Sequence, residues 1–160
     1  MADKRQVKVT VNGAEYERYV EPRMLLSDFL REELQLLGTH VGCEHGICGA
    51  CTILFNGEPI RSCLMFAVQA NGAKIMTVEG IAEQGKLHPI QEAFNEHHAL
   101  QCGFCTPGML ITIYHFLSEH PNPTEEEAQE AVSGVLCRCT GYTQIVEAVM
   151  AAAEKMRNAA

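Results

Sequence analysis

At 160 residues, with 47% hydrophobic and 20% charged side chains, the chain has the balance of a globular protein able to bury a core, not that of a disordered or fibrous one. Its formal net charge of −8 denies it the clustered Lys and Arg that nucleic-acid phosphates require, so no nucleic-acid partner is expected. No stretch approaches the roughly 20 apolar residues of a membrane helix; no transmembrane segment is expected, and the chain reads as cytoplasmic.

Residues 6–20 alternate in the β manner. Val7, Val9 and Val11 share one face, Asn12-Gly13 supplies a turn, and a second strand runs to about Val20. From Met24 to Leu37 the residues Leu25, Leu26, Phe29, Leu30 and Leu34 recur at helical spacing, with Ser27 or Asp28 near the start and Gly38 as a stop. Beyond the Gly-rich loop GCEHGICGAC (42–51), strands are expected at Thr52–Phe55, around Pro59–Ser62 after the Asn56-Gly57 turn, and at Lys74–Val78. Through about residue 80 this is a small mixed sheet with one crossing helix, a β-grasp pattern.

Further along, β alternation ceases. Helices are expected over His88–His98 and Pro107–His120, after PNPTEEE with Thr124 as N-cap and Glu127 in the capping-box position, and from Gly141 to about Met156. The stripe Met109, Leu110, Ile113 and Leu117 reads as core. The fold class is α+β, with halves 1–80 and 81–160 that pack together, since no long linker separates them.

Eight cysteines need an account. In a reducing compartment four structural disulfides are disfavoured, and the recurring close spacings fit metal loops better. Cys43, Cys48 and Cys51 form C-x4-C-x2-C, followed by Cys63, which is the plant-type [2Fe–2S] ferredoxin spacing. Three thiolates on one loop must converge on an anionic cluster while backbone N–H groups turn inward, and Gly42, Gly46 and Gly49 suit that. Zinc is the alternative, but its loops more often pair ligands as two short knuckles. His45 lies in the loop and reads as a solvent-facing residue, because four cysteines already complete a ligand set.

Cys102 and Cys105 form C-x2-C, and Cys137 and Cys139 form C-x-C. Each pair precedes an expected helix, so two helix N-termini would turn their positive ends to one thiolate site. By spacing alone this set suits a second cluster or zinc equally.

QCGFCTPGM (101–109) and LCRCTGY (136–142), joined to GCEHGICGAC, closely resemble the iron–sulfur subunit of the xanthine-oxidase family of molybdenum hydroxylases, of the carbon monoxide dehydrogenase, quinoline oxidoreductase and hydroxybenzoyl-CoA reductase type. Three motifs in the right order span nearly the whole chain. The resemblance implies a ferredoxin-like N-terminal domain and a C-terminal four-helix bundle, each with a [2Fe–2S] cluster. It also implies a large molybdopterin-binding subunit, with the pterin as a cytosine dinucleotide, and a medium FAD-binding subunit, assembled as a dimer of heterotrimers.

By the same resemblance, Cys102, Cys105, Cys137 and Cys139 hold the cluster nearest molybdenum, and Cys43, Cys48, Cys51 and Cys63 the one nearest FAD. Gln101 and Cys139 would contact the pterin of the partner subunit; an amide can both donate to and accept from a pterin edge. Arg138 either offsets cluster charge or faces solvent. One departure stands out: many relatives carry Asn before LCRCTGY, where this chain has Val135, so a side-chain hydrogen bond to that loop is expected to be missing.

The function implied is electron relay from a molybdopterin site through both clusters to FAD within an oxidoreductase. This chain would hold no catalytic acid, base or nucleophile, and no triad, P-loop or dinucleotide fingerprint is found in it. A freestanding ferredoxin is the alternative, against which the appended helical half speaks; a zinc-bound interaction module is a third. Substrates among relatives include carbon monoxide, purines, N-heteroaromatics, aldehydes and thioesters. The loop CEHGIC differs from that of carbon-monoxide-oxidising relatives and inclines the reading toward an N-heteroaromatic.

Overall fold

The computed structural model describes residues 3–82 and 85–159, so residues 1–2, 83–84 and 160 of the two expected halves lie outside the described residues. The opening hairpin forms as its alternation requires. β1 (Arg5–Val11) pairs antiparallel with β2 (Ala14–Val20), and Asn12 and Gly13, with φ of 51° and 81°, are the two left-handed residues of the tight turn between them. Val7, Val9 and Val11 are all buried. With β3 (Thr52–Phe55), β4 (Glu58–Arg61) and β5 (Lys74–Met76) they make a five-stranded sheet of order β2-β1-β5-β3-β4. The β1–β5 pair is parallel and the other pairs are antiparallel, the β-grasp arrangement. β4 ends one residue earlier than expected and β5 two, where the chain enters short 3-10 turns at Ser62–Leu64 and Val78–Gly80.

The crossing helix is shorter than its apolar spacing suggests. α1 (Leu26–Asp28) continues as a π turn over Phe29–Glu33 and stops there, not at Gly38. Leu34 N–H reaches back to the Phe29 carbonyl (3.2 Å), and Gln35, with φ of 58°, ends the run. Leu34 is buried from this turn, so a helical spacing persists beyond the helix itself. Neither Ser27 nor Asp28 caps it; Leu25 holds the N-cap position, and Ser27 is buried with its hydroxyl 3.3 Å from the Asp28 carboxylate.

The second half is helical: α2 (Pro89–Glu96), α3 (Thr106–Glu119), α4 (Glu125–Ser133) and α5 (Thr143–Ala159), the last extending past the expected end at Met156. The capping box before α4 is present, since Thr124 Oγ1 accepts from Glu127 N (3.2 Å) and the Glu127 carboxylate accepts from Thr124 N (2.7 Å). In α3 the expected core stripe is buried, and so is Ile111, because this helix lies between the sheet and the other helices. β3 joins the halves. Ile53 belongs to the core under α1, while its neighbour Leu54 points the other way into the helical core, as period-two alternation demands. Among the described residues no helix is long and apolar enough to cross a membrane.

Candidate metal centres

Cys43, Cys48 and Cys51 lie on the loop between α1 and β3, and Cys63 lies on the 3-10 turn that follows β4. The loop turns its amides inward. Cys48 N–H points at Cys43 Sγ (3.4 Å), and the amides of Cys48, then His45 and Ile47, hold the Cys43 thiol down at about 6. Cys63 moves the opposite way, pushed up to about 11 by burial first, then by its hydrogen bond with Cys51 and the nearby charge of Cys51 and Cys43, against an N–H from Gly46. These interactions bring the four expected residues together. Gly46 makes the inward turn at φ 81°, and a Cβ there would stand 2.5 Å from the Leu64 side chain.

The second set is gathered from two loops. Cys139 Sγ lies 3.5 Å from Cys102 Sγ, and the Cys105 thiol hydrogen-bonds with Cys137. Burial, then Cys137, pushes Cys105 up to about 12. Burial would also raise Cys137, but the Thr140 hydroxyl, 3.2 Å from its sulfur, and the amides of Thr140 and Cys139 outweigh that and lower it. Cys102 is lowered by the Phe104 amide first and Cys139 second, and Cys139 is raised by Cys102. Each contact therefore joins one thiol that ionises early to one that resists.

A group of like charges resists full ionisation on its own, and a cationic iron core relieves that repulsion while the inward amides suit its sulfides. The residues present thus fit an iron–sulfur cluster at each set. Among the described residues no three His, Cys, Asp or Glu side chains are gathered closely enough to hold a metal ion as they stand; the thiol contacts link the cysteines in pairs.

α3 begins directly after Cys105, its N-cap residue, whose side chain makes no capping bond. α5 begins only at Thr143, and the contacts from that side come from Thr140 and Tyr142. Tyr142 OH accepts from Cys137 N (2.8 Å) and donates to the Val135 carbonyl (3.3 Å). Both residues lie within the motif LCRCTGY, whose spacing marks the cysteines but assigns neither of the two hydroxyls a role. Val135 is fully buried and offers no hydrogen-bonding side chain. Gln101 and Arg138 are exposed, beside the exposed Cys102 and Cys139. His45 is exposed too, with Nδ1 against the carbonyl of Cys43 and not against a sulfur.

The two sets meet along a narrow seam. Leu136 N–H donates to the Cys48 carbonyl (2.8 Å). A Cβ on Gly49 would lie 2.4 Å from the Gly134 carbonyl, and one on Gly108 2.5 Å from the Gly49 carbonyl. His40 stacks on Phe104 with ring centroids 4.9 Å apart and hydrogen-bonds its carbonyl (2.8 Å).

Two family models match, one described as "2Fe-2S iron-sulfur cluster binding domain" over residues 9–75 and one as "[2Fe-2S] binding domain" over residues 77–150. The chain is 57% identical to the gamma subunit of caffeine dehydrogenase from Pseudomonas sp. (strain CBB1), over 89% of this chain and 87% of that one. It is 51% identical to the small subunit of nicotine 6-hydroxylase from Paenarthrobacter nicotinovorans, over 98% and 94%. In structure it is similar to a chain of quinoline 2-oxidoreductase from Pseudomonas putida 86, with a TM-score of 0.94 at 52% identity, covering 98% of each.

Proposed function

We propose that this chain, which belongs to the iron–sulfur subunits of the xanthine-oxidase family of molybdenum hydroxylases, holds one [2Fe–2S] cluster on Cys43, Cys48, Cys51 and Cys63 and the other on Cys102, Cys105, Cys137 and Cys139. The family's small subunits are electron-transfer components of molybdenum dehydrogenases and hydroxylases, and that is the function of this chain. When bound, a [2Fe–2S] cluster takes up and returns one electron at a time. The observation that supports the ligand assignment is that each of the two matched [2Fe–2S] regions contains four cysteines, linked to one another by thiol contacts.

The chain's own residues do the rest. Backbone amides around Cys43, and the Thr140 hydroxyl with the amides of Thr140 and Cys139 around Cys137, favour thiolates where metal is to bind. At Cys105 burial raises the thiol, and the positive N-terminus of α3 works against that rise. We divide the chain near residue 80, as 1–80 and 81–160; β5 ends at Met76 and α2 begins at Pro89, which supports that division.

The second set is the side that would meet a large molybdopterin-binding subunit, with Gln101 and Cys139 toward the pterin, a reading supported by the exposure of Gln101, Cys102 and Cys139. The first set faces a medium FAD-binding subunit. A dimer of such heterotrimers in the cytoplasm, where eight cysteines stay reduced until metal binds, completes the reading. Relatives named for caffeine, nicotine and quinoline support an N-heteroaromatic substrate, bound on the large subunit. Metal analysis of the purified holo-chain is expected to find two irons and two acid-labile sulfides for each matched region, four of each per chain. Stoichiometric zinc, or half that iron, overturns the reading.

A further inference from the structure

We propose that Arg61 is a positioning residue that fixes the separation of the two cysteine sets, and with it the exchange of electrons between them; the inference rests on the two-cluster reading above. Its guanidinium forks across the seam. Nη1 donates to Thr52 Oγ1 (2.7 Å) and Nη2 to the Gly134 carbonyl (2.6 Å), while Thr52 Oγ1 donates onward to the Gly49 carbonyl (2.5 Å). Gly49 adjoins Cys48, and Gly134 lies on the loop that leads to Cys137. Arg61 thereby reaches the backbone of the second loop directly and that of the first through Thr52.

The base of this fork is rigid. Thr52 and Arg61 are directly opposed partners on β3 and β4, and Thr52 is 2% exposed, so its hydroxyl is held between one donor and one acceptor. Leu136 N–H to the Cys48 carbonyl bridges the same gap beside it. Among the described residues no strand pairs the two loops; α3 packs on β3 beneath them, and at the level of the loops these bonds, glycine packing and the His40–Phe104 contact cross the gap. Both acceptors of Arg61 are neutral oxygens, and a planar fork can reach both at once where the single ammonium of Lys cannot do so with the same geometry. With a cluster bound at each set, the electron given up by one would be the electron gained by the other, so the exchange would balance without an outside reagent, and its rate would depend on their separation.

The test compares the cluster-loaded full chain with Arg61→Ala, Arg61→Lys and Thr52→Val. Three quantities are read: iron content, the EPR splitting that two reduced clusters impose on each other, and hydrogen exchange in the peptide containing Val135 and Leu136. Iron and both signals should persist, while the splitting is lost in Arg61→Ala and in Arg61→Lys, narrowed in Thr52→Val, and exchange quickens. An unchanged splitting in Arg61→Ala overturns the proposal, as does full restoration by Lys, which would mean that charge alone acts. Loss of iron in all three variants also overturns it, in favour of a role in holding metal. If the unmodified chain lacks two reduced signals, it is the two-cluster reading that fails.

Discussion

The first cysteine set draws three of its four members from one short loop, whereas the second is gathered from two loops far apart in sequence. Around Cys43 the neighbouring amides of one short loop do the electrostatic work. Around Cys137 the Thr140 hydroxyl shares that work with the amides of Thr140 and Cys139, while the Tyr142 hydroxyl holds the Cys137 N–H, an arrangement reached only after α3 and α4 have brought two distant loops together. The second set therefore depends on particular side-chain hydroxyls as well as on chain conformation. Crowding separates them as well: Gly49 is packed against the seam, whereas Gly103, at nearly the same φ, has no atom near the position a Cβ would take.

The largest effect expected of that contrast comes from two matched substitutions. Gly49→Ala must strain a left-handed residue (φ 75°), at ~1–2 kcal/mol, and also force a methyl against the Gly134 carbonyl, where overpacking adds about 1–3 kcal/mol. Gly103→Ala (φ 80°) meets only the first of these costs. Denaturant midpoints, followed by visible absorption and by helix circular dichroism, should fall clearly further for Gly49→Ala. Equal losses would erase the distinction between a crowded and an open set.

Tyr142→Phe sharpens it from the other side. Removing the hydroxyl strips Cys137 N–H of its acceptor, a penalty of about 1–3 kcal/mol for a donor left unsatisfied. The second set should lose iron faster under a chelator while the first keeps its wild-type rate. A uniform change in both would show that the sets are not independently supported.

The smallest change is expected from Gln101→Ala. Gln101 is exposed and holds no iron, so cluster content should be unaffected, and a lost neutral hydrogen bond to a partner costs only ~0.5–1.5 kcal/mol. In the assembled complex pterin occupancy, or the rate at which substrate reduces the chain, should drop. If both stay at wild-type values, Gln101 is an ordinary surface residue.

What could be read from the sequence follows the same division. The first loop carries three of its four cysteines within ten residues, so its spacing alone points to a two-iron group. Thr124 and Glu127 form their capping box because that geometry is local. The second set leaves zinc open by spacing, because the contact of Cys139 with Cys102 is made by tertiary packing. The same holds for Arg61 and Gly134, far apart in sequence and joined only once the sheet and helices meet. Only the pairing of Thr52 with Arg61 across the Asn56-Gly57 turn could have hinted at the fork. α1 was overextended because Leu34 keeps helical spacing while arriving from the turn that ends the helix.

The central claim, two separate clusters on two separate cysteine sets, is tested most directly by low-temperature EPR of the reduced Cys48→Ser and Cys105→Ser chains. These residues sit on opposite sides of the seam, in the two regions matched separately as [2Fe–2S] domains. The account predicts that each substitution abolishes or shifts a different one of two signals and leaves the other at its wild-type position. Loss of the same signal in both variants would contradict it.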